Sequence, residues 1–189
     1  MRRDLLQTVV VKGIAETSAV ADAADVPVAD AEGVLADLAA AGLIRCRTGR
    51  LAGWTPTAEG RAQLVRLVRA DPTSRPPDTV HRDFVAVNAD FKQVCTEWQR
   101  TRPDVTAELT DRLTGVHDRV RPVIDACAVV QPRFAAYRRR LDTALRRFTG
   151  GDPDALTGVR QGSYHGVWME LHADLLTSLD RPRTAQDGA

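Results

Sequence analysis

Residues 26–57, "VPVADAEGVLADLAAAGLIRCRTGRLAGWTPT", decide how this chain is read. Val26-Pro27 marks a turn. Ala31, Val34, Leu35 and Leu38 then recur at helical spacing, which predicts a helix with one apolar face. Gly42 stands where helices commonly stop in a left-handed conformation. Beyond it, two short extended segments flank "TGR"; Gly49 supplies the permissive turn of a hairpin, and Trp54 is placed to fold back onto the helices. Thr57 is the expected cap of the next helix, whose inner face is Leu64, Leu67 and Val68. Upstream, apolar residues are dense from Leu5 to about Gly13, and Thr17 or Ser18 offers an N-cap for a short helix ending near Asp25. The expected order is helix, helix, turn, helix, hairpin, helix.

The run "LADLAAAGLIRC" followed by "GWTPTAEGRA" resembles the winged-helix domain of MarR-type and related bacterial regulators. In that family a recognition helix ends at a Gly-Leu pair, a hairpin wing follows, and a Thr-Pro turn opens the next helix. The resemblance covers about residues 3 to 70. It implies an N-terminal winged helix-turn-helix with a small β-hairpin wing, and a DNA-binding transcriptional regulator. Winged helices also serve as protein-binding modules.

"DPTSRPPD", residues 71–78, holds three prolines and few apolar groups, the composition of a linker. After it the pattern becomes four amphipathic helices. Their seams are Val80, Phe84, Val87, Phe91, Val94 and Trp98; Leu109, Leu113, Val116, Val120, Val123 and Cys127; Phe134, Tyr137, Leu141, Leu145 and Phe148; and Tyr164, Trp168, Leu171, Leu175 and Leu179. Pro122 is expected to kink or divide the second of them. The fold class is therefore mainly α, with a winged domain over 1–70, a linker over 71–78, a C-terminal α-helical bundle over 79–180, and a disordered tail over 181–189. The narrow stripe of the first bundle helix is of the coiled-coil kind, so a homodimer is expected. The segments "FVAVNADFKQVCTEWQ", "RRRLDTALRRFTGGDPDAL" and "SYHGVWMELHADLL" resemble a helical region found with winged-helix segments in actinobacterial proteins, some appended to enzymes related to phosphoenolpyruvate-utilising phosphotransferases. That resemblance implies a non-catalytic interaction module, accessory to a phosphotransfer enzyme, as the alternative function.

Charge does not choose between these readings. The net charge is +1, with nine basic and eight acidic residues up to position 70 and seventeen of each after it. Neither half is a basic block. The three cysteines (Cys46, Cys95, Cys127) have no paired or metal-ligand spacing and read as three buried thiols in a reducing compartment. No apolar run approaches the roughly 20 residues of a membrane span, so a cytoplasmic protein without membrane contact is expected.

The sharpest tension lies in the third helix. Direct readout in the major groove uses Arg, Lys, Asn or Gln, but the face opposite the apolar residues presents Val28, Ala29, Glu32, Gly33, Ala36 and Asp37. The compensating cations are Arg45, Arg47 and Arg50 on the hairpin, with Arg2, Arg3 and Arg61 as further candidates for double-stranded DNA. Such residues make phosphate or minor-groove contacts, which position a protein without naming bases. A second candidate site is the C-terminal stretch, where Tyr164, His165, Trp168 and His172, with His117 and polar help from Arg121, Tyr137 or Arg138, line an expected pocket for a small organic ligand. His165, Met169 and His172 fall along one stripe, but HExxH is absent, and no metal or cofactor is expected. No nucleophile has an evident base partner, so the chain reads as a non-enzyme.

Overall fold

A computed structural model describes residues 1–101, 105–158 and 162–182. The chain is mainly helical, with one small antiparallel sheet of two strands. It divides into two units. Met1–Arg75 with Ala173–Arg181 forms the first, and Pro76–His172 belongs to the second.

The first unit runs α1 (Arg2–Lys12), α2 (Thr17–Ala24), α3 (Val28–Ala40), β1 (Ile44–Arg47), β2 (Gly53–Pro56) and α4 (Ala58–Ala70). Its core joins Leu5, Leu6 and Val9 of α1 to Val20 and Ala24 of α2, Leu35 and Leu38 of α3, Ile44 of β1, and Leu64 and Val68 of α4. Gly42, at φ 72°, breaks α3 as expected. Thr57 caps α4: its hydroxyl accepts from the Gly60 N–H at 3.0 Å and donates back toward the carbonyls of Gly42 and Leu43. A Cβ on Gly60 would stand 1.9 Å from the Leu43 carbonyl oxygen, so only glycine lets α4 lie this close to the start of the hairpin. Thr17 caps differently from expectation. Glu16 is the N-cap of α2, and the Thr17 hydroxyl instead accepts from the Trp54 indole N–H at 3.0 Å.

The last turns of α9 (Tyr164–Ser178) also belong to this unit, whereas the sequence pattern assigns all of 79–180 to the bundle. Buried hydrogen bonds from α1 tie these turns to the unit. Gln7 is fully buried on α1, and its amide donates to Asp174 at 2.7 Å and Ser178 at 2.9 Å, both also buried.

The second unit comprises α5 (Asp78–Thr101), α6 (Ala107–Val130), α7 (Ala135–Thr149), the four-residue α8 (Asp154–Thr157) and the first turns of α9. Pro122 sits inside α6 without dividing it. The α5 seam is buried within its own chain: Phe84 and Phe91 pack on Trp168 at ring distances of 5.1 and 4.4 Å, and Trp98 packs on Phe148 and donates to Thr157 at 3.0 Å. The stripe expected to pair with a second copy is thus consumed by α6, α8, α9 and the end of α7. The expected linker is shorter than drawn, since α5 already begins at Asp78 and a 3-10 turn occupies Pro72–Ser74. The expected tail lies outside the described residues from 183 onward.

Candidate nucleic-acid interface

The hairpin is anchored at its base and free at its tip. Ile44 is buried beneath β1, and Trp54 pairs its backbone with Ala15 through two hydrogen bonds of 2.8 and 3.1 Å. Gly53, at φ 140°, permits that approach, because a Cβ there would fall 2.7 Å from the Ala15 carbonyl oxygen. Beyond the anchor every residue from Arg45 to Ala52 is exposed. Strand alternation would place Cys46 on the same side as Ile44, yet its thiol is exposed because the hairpin extends past the helices that cover its base. Cys95 and Cys127 are buried, and desolvation pushes the Cys95 thiol up to about 12.

Arg45, Arg47 and Arg50 all sit on this projecting segment. Arg45 faces Thr55 across the strands and donates to its hydroxyl at 3.3 Å. Among the described residues, none of the three guanidinium groups meets a carboxylate in an ion pair. Arg61, in the first turn of α4, is exposed as well.

Arg2 and Arg3 do not join this cluster. Arg3 is held by Asp71 at 2.9 Å, at the far end of α4 from the hairpin, and a helix of 13 residues separates the two by roughly 20 Å. Asp71 is a well-satisfied carboxylate: hydrogen bonds from Ser74 and Thr73, and then the Arg3 charge, hold it below the ordinary carboxylate range. Arg2 precedes Arg3 on the same end of α1.

Helix α3 leads directly into β1 and presents Val28, Ala29, Asp30, Glu32, Gly33, Ala36 and Asp37 to solvent, with Ala31, Leu35 and Leu38 turned inward. Its outer face holds three carboxylates and no cation. The first unit therefore carries an acidic rod beside a cationic hairpin.

The second candidate constellation is a packed core and not a pocket. Tyr164, Trp168, His172 and His117 are buried, and the rings of Phe84 and Phe91 fill the space between them. Trp168 donates to Asn88 at 2.8 Å. His117 lies between two partners, with Nδ1 3.2 Å from the Tyr164 hydroxyl and Nε2 2.8 Å from Asp142. Burial, reinforced by the carboxylates of Asp142 and Asp118, pushes the Tyr164 phenol well above its ordinary range. His165 points out to the surface beside Phe91, and partial desolvation lowers its imidazole. Of the expected polar helpers, Tyr137 donates to the Glu170 carbonyl and Arg138 pairs with Asp125 at 3.1 Å. Arg121 lies 3.9 Å from Asp118. The periodicity that put His and Tyr on one stripe gave no hint of Phe84 and Phe91 opposite them, some eighty residues earlier in the chain.

Among the described residues there is no cluster of His, Cys, Asp and Glu arranged to hold a metal, and no helix is long and apolar enough to cross a membrane. Comparison with known protein families, with curated proteins and with solved structures found no match to this chain.

Proposed function

We propose that the first unit is a winged-helix domain that binds double-stranded DNA through its hairpin, and that the chain is a dimeric, MarR-like transcriptional regulator. The observation that carries this reading is the set of guanidinium groups at Arg45, Arg47 and Arg50, exposed on one hairpin and paired with no carboxylate among the described residues. The order of helices around the hairpin supports it, as does the short Ala15–Trp54 bridge that ties the wing to the helices. Binding of this kind is led by phosphate and minor-groove contacts. Helix α3 offers no donor to base edges, and its carboxylates oppose the phosphate charge, so specificity comes from groove shape more than from direct readout.

A mobility-shift assay across salt tests the reading. A dimer presenting six such groups gives a log–log salt slope of roughly −5, with retention at low salt that fades toward physiological salt. The triple substitution Arg45→Ala, Arg47→Ala, Arg50→Ala abolishes retention. Failure of the native protein to shift any duplex at low salt, or an unchanged shift by the triple variant, would reject DNA binding.

One observation favours a second reading, a non-catalytic module accessory to a phosphotransfer enzyme. The exposed α3 face, with Asp30, Glu32 and Asp37 and no basic residue, suits a basic protein surface. In that case the arginine substitutions leave the partnership intact, and Glu32→Lys with Asp37→Lys destroys it.

A further inference from the structure

Cations of the second unit are mostly neutralised where they stand: Arg82, Arg119, Arg138, Arg140 and Arg147 each meet a carboxylate. Lys92 and Arg100 meet none among the described residues, and both open onto one cleft of about 490 Å³ where α6 passes the second half of α5. The periodicity of α5 puts them there. Phe91, Val94 and Trp98 are buried, which turns Lys92, Thr96 and Arg100, at successive spacings of four, toward the outside, with Gln93 and Glu97 beside them. Arg112 of α6 forms the facing wall and is held by Glu97. The Thr96 hydroxyl donates to the Lys92 carbonyl at 2.8 Å, so its oxygen is oriented but still able to accept.

The lining selects the chemistry of an occupant. Among the described residues it holds three cations and one carboxylate, and Glu97, the carboxylate, is engaged by Arg112. Lys92 and Arg100 therefore set the field inside the concavity, which favours an anion. They stand two turns apart, roughly 12 Å along the helix axis, so an anion between them is approached from opposite ends of the cleft. The Lys92 ammonium is a point charge with three rotatable donors, and Arg100 offers a planar fork. A carboxylate has two oxygens in one plane and is served by a single fork, whereas the terminal oxygens of a phosphate monoester spread tetrahedrally and accept from both. Gln93 adds a neutral amide for hydroxyl groups of the ligand. The cleft is of the size that small-molecule sites have and is several times larger than a bare phosphate, so the occupant carries an organic body.

We propose that this cleft binds a small organic phosphate ester, with Lys92 and Arg100 holding the phosphate and Arg112, fixed by Glu97, shaping the opposite wall. The site lies wholly in the second unit and does not depend on the hairpin reading. Titration of the full chain with glycerol 3-phosphate, followed by amide NMR shifts at low, constant salt, is the experiment. Saturable shifts confined to the amides around Lys92–Arg100 and Arg112 are expected, with a Kd on the order of 1 mM for a few solvent-exposed charge contacts. Lys92→Gln with Arg100→Gln, both at exposed positions, weakens binding at least about tenfold while circular dichroism stays native. Arg82→Gln, which removes a cation elsewhere on α5, changes it less than about twofold, and succinate, a dianion of carboxylates, binds at least about fivefold more weakly. No saturation below about 20 mM overturns the proposal, as does binding that survives the double substitution. An equal loss in Arg82→Gln would reduce the site to the general field of the surface, and equal affinity for succinate would reject phosphate as the ligand.

Discussion

The arginines of the hairpin and those of the bundle are the same residue put to opposite uses. In the bundle, Arg140 is nine-tenths buried, pairs with Glu170 at 2.7 Å and lies over the Tyr137 ring, while Arg138, Arg147, Arg112 and Arg119 each meet a carboxylate. On the hairpin, Arg45, Arg47 and Arg50 are exposed and, among the described residues, meet no carboxylate. A chain with a net charge of only +1 thus gains a local cationic surface by withholding carboxylates from one projection, without any excess of basic residues.

Substitution in the two places separates these uses. Arg140→Ala leaves Glu170 partly buried without this partner and removes the stacking on Tyr137, and it lowers stability by about 3 kcal/mol in chemical denaturation. Arg47→Ala changes stability by less than about 0.5 kcal/mol. Equal losses at the two sites would erase the distinction. A smaller effect sharpens the contrast inside the first unit. Converting Glu32 and Asp37 to Lys moves cations onto α3, and if the hairpin brings the domain to DNA, affinity rises and the salt slope steepens by up to about two. A slope that stays fixed in that variant would mean α3 never approaches the duplex.

The elements were legible in the sequence wherever a local rule is repeated. The bundle seams are buried as their spacing implies except at Leu145, which is half-buried while Ala144 beside it takes the inner position, and Gly42 and Thr57 terminate and cap their helices because both act over three or four residues. The hairpin cluster was legible for the same reason, since Arg45, Arg47 and Arg50 share one short segment. Pairings between distant positions were not. Arg3 looks as free as Arg47 until Asp71 is brought beside it, and the His and Tyr stripe of α9 looks like a pocket until Phe84 and Phe91 close it. Gln7 gives no local sign that it will claim Asp174 and Ser178 from the last helix. In each of these cases the deciding contact depends on tertiary packing, which periodicity does not encode.

The closed stripe makes the smallest of these predictions, and its sign follows from burial. Folding holds the Tyr164 phenol above its ordinary range, first because the ring is desolvated and then because Asp142 and Asp118 oppose a phenolate. In the unfolded chain the phenol ionises near about pH 10. The stabilisation that comes from keeping it neutral is therefore complete below that pH and declines as pH rises above it, because the unfolded chain then gives up a proton that the folded chain retains. Tyr164→Phe removes this dependence along with the hydrogen bond to His117. Thermal melts should show the native protein losing more stability than the variant between about pH 9 and 11. Parallel curves would mean that solvent reaches the phenol in the folded protein, and the stripe would have to be read again as an open pocket.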